Sequence, residues 1–248
     1  MEPPIQNNID IKDGICQLLS VIDCLFCHSN RDSMNIYCIS GLGGDHRLFK
    51  HIQAPEGYEI VPVKWIAPKP KESLVDYAMR LGACIDRSQP FILVGLSLGG
   101  IMAVELAKRL SPVCTIIISS IPVSTELPGY YKTASKLKLV RIVPSFVFKA
   151  AAILKRLYSG ESREDKRLVL RMIREGDNRF IKWAMRAVTE WKNEIVPSPL
   201  WHIHGTKDEV FPIFRTHPTH IIRKGRHLLL MSHSPEINRI LKEIIFNL

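Results

Sequence analysis

A serine stands at the centre of a glycine-rich string that joins a predicted strand to a predicted helix. The string reads Gly-Leu-Ser-Leu-Gly-Gly at 95–100, and its serine is Ser97. The run Pro-Phe-Ile-Leu-Val at 90–94 predicts a buried strand before it, and the helix formers at 101–110 predict a helix after it. The glycines of this G-x-S-x-G pattern lack a Cβ, so the two backbones can form a tight turn that exposes the hydroxyl. Such a turn is typical of a nucleophilic serine, with the helix N-terminus facing the oxyanion that its attack would create.

A serine nucleophile needs a base and an acid that orients the base, and suitable residues follow two later strands. Asp208 lies in the loop after a predicted strand at 200–204. His227 lies in the loop after another predicted strand at 219–222. Because the carboxyl ends of parallel strands meet at one edge of a sheet, we expect Ser97, Asp208 and His227 to form a catalytic site.

Three other residues are alternatives for these two roles. Glu209 is the neighbouring alternative for the acid, and Glu126, after the preceding strand, is a more distant one. His233 is the alternative for the base, but it stands just before the final helix and is expected to cap or precede that helix. His227 is preferred because it directly follows the turn after its strand.

The elements that must position these residues alternate between short apolar strands and amphipathic helices. Further strands are predicted at 36–40, 59–63 and 114–119, and helices at 73–86 and 235–246. This alternation predicts an α/β fold with a mostly parallel, doubly wound sheet that is covered on both faces. Active sites in such sheets lie at the carboxyl ends of the strands, where all three candidates stand.

The string Ile-Ser-Gly-Leu-Gly at 39–43 completes a resemblance to the α/β-hydrolase superfamily, and in particular to small bacterial serine hydrolases. The resemblance runs from about residue 34 to 248. It implies that the backbone N–H groups of Leu42 and Leu98 hold the oxyanion. It also implies that a helical insertion at about 125–195 forms a cap over the site. Ser40 stands where many members of this superfamily have histidine. The difference is expected to alter how the loop is held, but not the backbone N–H group that would bind the oxyanion.

The resemblance implies a hydrolase that cleaves a carboxylic ester or thioester of a small or acyl substrate through an acyl-enzyme. It implies no organic cofactor and no metal, and no His, Cys, Asp or Glu cluster has convincing metal-ligand spacing. The serine argues against dehalogenase or epoxide hydrolase chemistry, for which the family uses an aspartate. The alternative is a module on the same fold that binds a small ligand with little turnover.

The insertion at 125–195 carries most of the net positive charge of the chain. It contains 16 Lys and Arg against 8 Asp and Glu, and the whole chain has a net charge of +10. Such a surplus is typical of solvated helix faces; the alternative is attraction of an anionic substrate or an anionic membrane surface. No nucleic-acid motif is present, so nucleic acid is not an expected partner.

The apolar residues of the insertion allow two interpretations. They are the hydrophobic core of the cap itself, or one or two of the aromatic residues line an acyl pocket. The residues concerned lie at 145–157 and at Phe180, Trp183, Met185, Val188 and Trp191.

Residues 1–33 do not share the resemblance and are predicted to be an N-terminal extension to the hydrolase domain at 34–248. They lack the positive start of a signal peptide, so the Cys-x-x-Cys-His string at 24–28 is not expected to attach haem. A cytoplasmic protein with reduced thiols is expected, with Cys38, Cys84 and Cys114 as small core residues. No run reaches the ~18 apolar residues of a membrane span.

Overall fold

The computed structural model of the chain describes residues 33–136, 143, 146–147, 149–150 and 162–248. The chain divides into two units, Met1–Ser33 and Met34–Leu248, and the second contains the elements given below. The predictions for 1–33 and for the apolar stretch at 145–157 fall largely outside the described residues.

The described strands form one six-stranded sheet in which every neighbouring pair is parallel. The order across the sheet is β2-β1-β3-β4-β5-β6. The strands are β1 Met34–Ile39, β2 Tyr58–Val63, β3 Phe91–Leu96, β4 Cys114–Ile118, β5 Leu200–Gly205 and β6 His220–Ile222. The predicted parallel sheet is therefore confirmed.

The described helices connect these strands and cover the sheet. They are α1 Leu74–Leu81, α2 Leu98–Leu110, α3 Gly129–Lys136, α4 Arg163–Glu175, α5 Asn178–Glu190, α6 Leu229–Ser232 and α7 Ser234–Phe246. Helices α3, α4 and α5 lie between β4 and β5, which confirms a helical insertion at that point of the chain.

Alternate side chains of the buried strands enter two separate cores, one on each face of the sheet. On one face, Leu93 of β3 belongs to a cluster formed with helices α1, α2 and α5. On the other face, Ile92 belongs to a cluster formed with α4, α6 and α7. The two-sided burial explains why the strands read as continuous apolar runs rather than as alternating ones.

The helix predicted at 73–86 is shorter than expected, and one cysteine prediction was wrong in consequence. Ser73 caps the helix by accepting a hydrogen bond from the Asp76 N–H, but α1 ends at Leu81 and a 3-10 turn follows at Gly82–Cys84. Cys84 is therefore exposed rather than in the core. Cys38 and Cys114 are buried in strands, as predicted.

Among the described residues, no helix combines the length and apolar character that crossing a bilayer requires.

Candidate active site

Ser97 occupies the sharp turn between β3 and α2. Its backbone has φ 53° and ψ −118°, a region that residues with a Cβ rarely adopt. Hydrogen bonds to its backbone N–H and carbonyl groups hold it there. The Ser97 N–H donates to the Ile118 carbonyl at 2.9 Å, and the Ser97 carbonyl accepts from Ser120 Oγ at 2.7 Å and from the Gly100 N–H at 2.9 Å. The unfavourable conformation is thus fixed by its surroundings, as at many functional sites.

The glycines on both sides of Ser97 permit a close approach of backbones. A Cβ on Gly99 would collide with the carbonyl oxygens of Ile39 and Ser40, in β1 and the loop after it. A Cβ on Gly95 would collide with the Gly99 carbonyl and the Gly100 backbone. These contacts bring the loop after β1 directly against the serine turn.

Three predicted residues meet in one hydrogen-bonded chain at the carboxyl edge of the sheet. Ser97 Oγ lies 2.9 Å from His227 Nε2. His227 Nδ1 lies 2.8 Å from Asp208 Oδ2 and 3.0 Å from Oδ1. Because the carboxylate only accepts, Nδ1 carries the proton, and Nε2 is left to accept from the serine hydroxyl. Asp208 and His227 are only 5% and 6% exposed, so bulk water has little access to the hydrogen bond between them.

The Asp208 carboxyl is held in place by its own loop. Its Oδ1 accepts from the backbone N–H groups of Val210 at 2.8 Å and Phe211 at 2.9 Å. Burial alone would raise the pKa of Asp208, but the charge and hydrogen bond of His227, with the Phe211 N–H, outweigh burial and lower it. The carboxylate is therefore ionised at neutral pH and can stabilise an imidazolium on His227.

Two buried histidines of β5 lie beneath the acid loop. His204 Nε2 lies 2.7 Å from the Phe211 carbonyl, so this nitrogen carries a proton and donates it. Nδ1 of the neutral His204 ring then accepts from His202 Nε2 at 3.1 Å. Burial lowers the pKa of both rings, that of His202 to about 3. The pair stays neutral near pH 7 and ties the strand to the loop that carries Asp208.

We predict that this pair makes the protein lose stability as the pH falls below about 6.5. In that range the unfolded histidines bind protons, whereas the folded ones do not until the pH approaches their lowered pKa values. His202→Gln keeps a donor for His204 but does not titrate. It is expected to lower the pH dependence of the free energy of unfolding by up to about 1.4 kcal/mol per pH unit. Urea unfolding between pH 7 and 5 measures this.

If His202→Gln keeps the wild-type pH dependence, the folded-state pKa of His202 is not lowered.

The loop after β1 is held by two side chains that share one acceptor. The Gly44 carbonyl accepts from Ser40 Oγ at 3.0 Å and from Trp65 Nε1 at 3.2 Å. The Gly44 N–H closes the loop by donating to the Gly41 carbonyl at 3.0 Å. Ser40 is buried, and its hydroxyl helps to hold the loop through this hydrogen bond.

The backbone N–H group of Leu42 lies in this loop. That of Leu98 belongs to the first residue of α2. Within the part of the chain that the structure describes, neither donates to a protein acceptor. Leu42 and Ser97 line the same small cavity. Both N–H groups thus lack a partner among the described residues, and Leu98 directly follows Ser97 in the chain.

The residues considered as alternative acid and base are not part of the hydrogen-bonded chain formed by Ser97, His227 and Asp208. Glu209 accepts a 3.4 Å hydrogen bond from the His227 backbone N–H, not from the ring. Glu126 contacts His217 at 3.2 Å. His233 occupies the N-cap position of α7, as expected, but makes no capping hydrogen bond. Within the described ranges, no three His, Cys, Asp or Glu side chains are placed to hold a metal ion.

Two cavities adjoin at the loop after β1. The smaller, of about 80 Å³, is lined by Ser97, His227, the loop and apolar side chains of α4. The larger, of about 260 Å³, lies between the loop, Trp65 and the helices α4 and α5. Their linings share Gly43, Gly44 and Met172.

Ion pairs fasten α4 to the segment that follows the loop. Arg47 Nη2 lies 2.7 Å from Asp45 and 2.6 Å from Glu175 at the end of α4. Lys50 Nζ lies 2.8 Å from Asp165 near the start of α4. Sequence analysis missed these contacts, and the role of Trp65, because they join distant segments and follow no local pattern.

Searches with this chain found no matching family model and no matching curated protein. Solved structures do match. An esterase from Thermogutta terrifontis is 14% identical, with a TM-score of 0.66 over 87% of this chain and 90% of that chain. MenH from S. aureus is 13% identical, with a TM-score of 0.66 over 88% and 96%. A hydrolase from Pseudomonas aeruginosa is 12% identical, with a TM-score of 0.69 over 87% and 91%. At these identities the comparison establishes a common fold.

Proposed function

Because the chain has the α/β-hydrolase fold, we propose that it is a serine hydrolase that cleaves a carboxylic ester or thioester of a small substrate. The observation that carries the proposal is the hydrogen-bonded chain from Ser97 through His227 to Asp208. Its serine stands at a turn with positive φ, and its acid is ionised. A serine that served only as a turn residue would need none of these partners.

In the proposed first step, His227 Nε2 takes the proton of Ser97 while Oγ attacks the substrate carbonyl carbon. The carbonyl oxygen becomes an oxyanion, and the N–H groups of Leu42 and Leu98 stabilise it. Asp208 remains ionised and stabilises the imidazolium through the 2.8 Å hydrogen bond from Nδ1.

In the second step the tetrahedral intermediate collapses, and the bond to the alcohol or thiol breaks. His227 gives its proton to the leaving oxygen or sulfur, which leaves an acyl group on Ser97. A water molecule then gives a proton to His227 and attacks the acyl carbon. Ser97 departs with the proton from His227, and a carboxylic acid is released.

Hydrolysis of p-nitrophenyl acetate and of a matched acetyl thioester tests the proposal. The folded protein is expected to release the nitrophenol or the thiol well above the rate in buffer alone. Rates indistinguishable from buffer for both substrates would refute the assignment to ester and thioester hydrolysis.

The hydrogen bonds on Gly44 lead to a further prediction. With p-nitrophenyl acetate, Ser40→Ala is expected to lower kcat about tenfold, and the double variant with Trp65→Phe about 10²-fold, while KM for this short substrate changes little. The loss appears in kcat because a loosened loop weakens a donor that acts mainly in the transition state. Steady-state kinetics measure this, with Ser124→Ala as the control for losing a hydrogen-bonded serine hydroxyl elsewhere. An unchanged kcat in the double variant would contradict it.

A further inference from the structure

The position of His227 determines which part of a substrate each cavity receives. The leaving atom must lie beside His227 Nε2 to receive its proton, and the carbonyl oxygen must face the Leu42 N–H. The remaining substituent of the carbonyl carbon, the acyl chain, extends away from His227. We assign the larger cavity to the acyl chain, because it adjoins the cavity at Ser97 through Gly43, Gly44 and Met172 and is not lined by His227.

The volumes of the cavities limit the size of each part. A cavity of about 150 Å³ is enough to hold benzene. The cavity at Ser97, at about 80 Å³, is too small for a ring and holds the carbonyl group with a few neighbouring atoms. The larger cavity, at about 260 Å³, holds a ring with room to spare.

The walls of the larger cavity match an apolar ring. Trp65 and Phe180 stand with their ring centroids 5.0 Å apart and tilted by 44°. Ile66, Met172 and Ile181 add aliphatic surface. Aromatic side chains in this arrangement interact well with a further ring at an offset or an edge.

The charged residues that line the larger cavity do not favour an anionic group there. Arg47 lines the cavity, but its guanidinium is already paired with both Asp45 and Glu175. These two carboxylates and Asp177 also belong to the lining. A carboxylate on the substrate would therefore meet compensated positive charge together with three negative groups.

We propose, on the basis of the function proposed above, that the substrates are esters or thioesters of neutral acids whose chain ends in an apolar ring. The carbonyl and the first carbons lie in the cavity at Ser97. The acyl chain passes Gly43, Gly44 and Met172, and the ring packs against the exposed surfaces of Trp65 and Phe180 that line the larger cavity. This narrows the substrate to an aryl-alkanoyl or cycloalkyl-alkanoyl compound.

A substrate series with one leaving group tests the inference. We would compare kcat/KM for the p-nitrophenyl esters of acetate, hexanoate, phenylacetate, phenylpropanoate and phenylbutanoate. At least one ring ester is expected to exceed acetate, and also hexanoate, by about tenfold or more. A ring ester with a carboxylate on the ring is expected to lose most of that advantage.

Filling the larger cavity provides the matched variants. Ala67 lines the cavity from an exposed position, so Ala67→Phe adds a ring there without disturbing the core. It is expected to lower the ring-ester to acetate ratio about tenfold. Ile181→Phe, deeper in the same wall, is the second variant with the same expected result. Ala54→Phe, at an exposed site outside both cavities, is expected to keep the wild-type ratio.

The outcomes separate this inference from the proposed function. If acetate is hydrolysed but no ring ester exceeds both acetate and hexanoate, or if both cavity variants keep the wild-type ratio, the ring site is wrong and the serine hydrolase stands. If the folded protein hydrolyses none of the esters, both are wrong.

Discussion

Ser97→Ala is expected to lower kcat/KM for ester hydrolysis by about 10⁴- to 10⁶-fold. The variant removes Ser97 Oγ, the atom that attacks the carbonyl carbon. His227 then has no hydroxyl at that position to activate. Any remaining rate would come from the Leu42 and Leu98 N–H groups acting on water in the cavity. Steady-state kinetics with p-nitrophenyl acetate measure the loss.

The backbone of Ser97 supplies the control for this experiment. At φ 53°, alanine has the same unfavourable conformation as serine, whereas glycine adopts it freely. Ser97→Gly is therefore expected to be as inactive as Ser97→Ala but more stable, by about 1 kcal/mol. If either variant retained more than a tenth of the activity, Ser97 would not be the nucleophile.

Asp208→Asn is expected to lower kcat about 10³- to 10⁴-fold with little change in the fold. Oδ1 of Asp208 accepts from two backbone N–H groups, so the amide oxygen of asparagine takes that position. The amide nitrogen then replaces Oδ2 and donates to His227 Nδ1. His227 is forced to carry its proton on Nε2, where it can no longer accept the proton of Ser97. A kcat and KM comparison at pH 7 to 8 measures this.

Glu209 supplies the matched control, because it is the neighbouring carboxylate and also contacts His227. Glu209→Gln is expected to change kcat less than about threefold, since its contact is a single long hydrogen bond to the backbone. If Glu209→Gln were as damaging as Asp208→Asn, Asp208 would not be the orienting acid.

The fold followed from the sequence because its signals are local and repeated. Buried parallel strands give continuous apolar runs, and the strand, turn and helix around Ser97 each have their own pattern. The juxtaposition of Ser97, Asp208 and His227 followed from one topological fact, that parallel strands end at the same edge. No contact between the three residues had to be known in advance.

The rest depends on long-range contacts for which the sequence contains no local signal. Ser40 is separated from Trp65 by β2 and the segments on either side of it, yet both donate to the Gly44 carbonyl. Arg47 and Glu175 are 128 residues apart in the chain. Cys84 was placed in the core because the helical pattern continued through it, whereas Gly82 begins a 3-10 turn that leaves it exposed. Patterns predict elements, but the contacts that fix a site are made between elements.

Exposure to a fluorophosphonate at neutral pH, followed by intact-mass analysis and peptide mapping, tests the central claim most directly. A single adduct on Ser97 is expected; it is absent from Ser97→Ala and forms far more slowly on His227→Ala. Such a result would demonstrate a serine activated by its histidine. A folded wild-type protein that forms no adduct, or forms it as fast without His227, would contradict the account and favour a module that binds a small ligand without turnover.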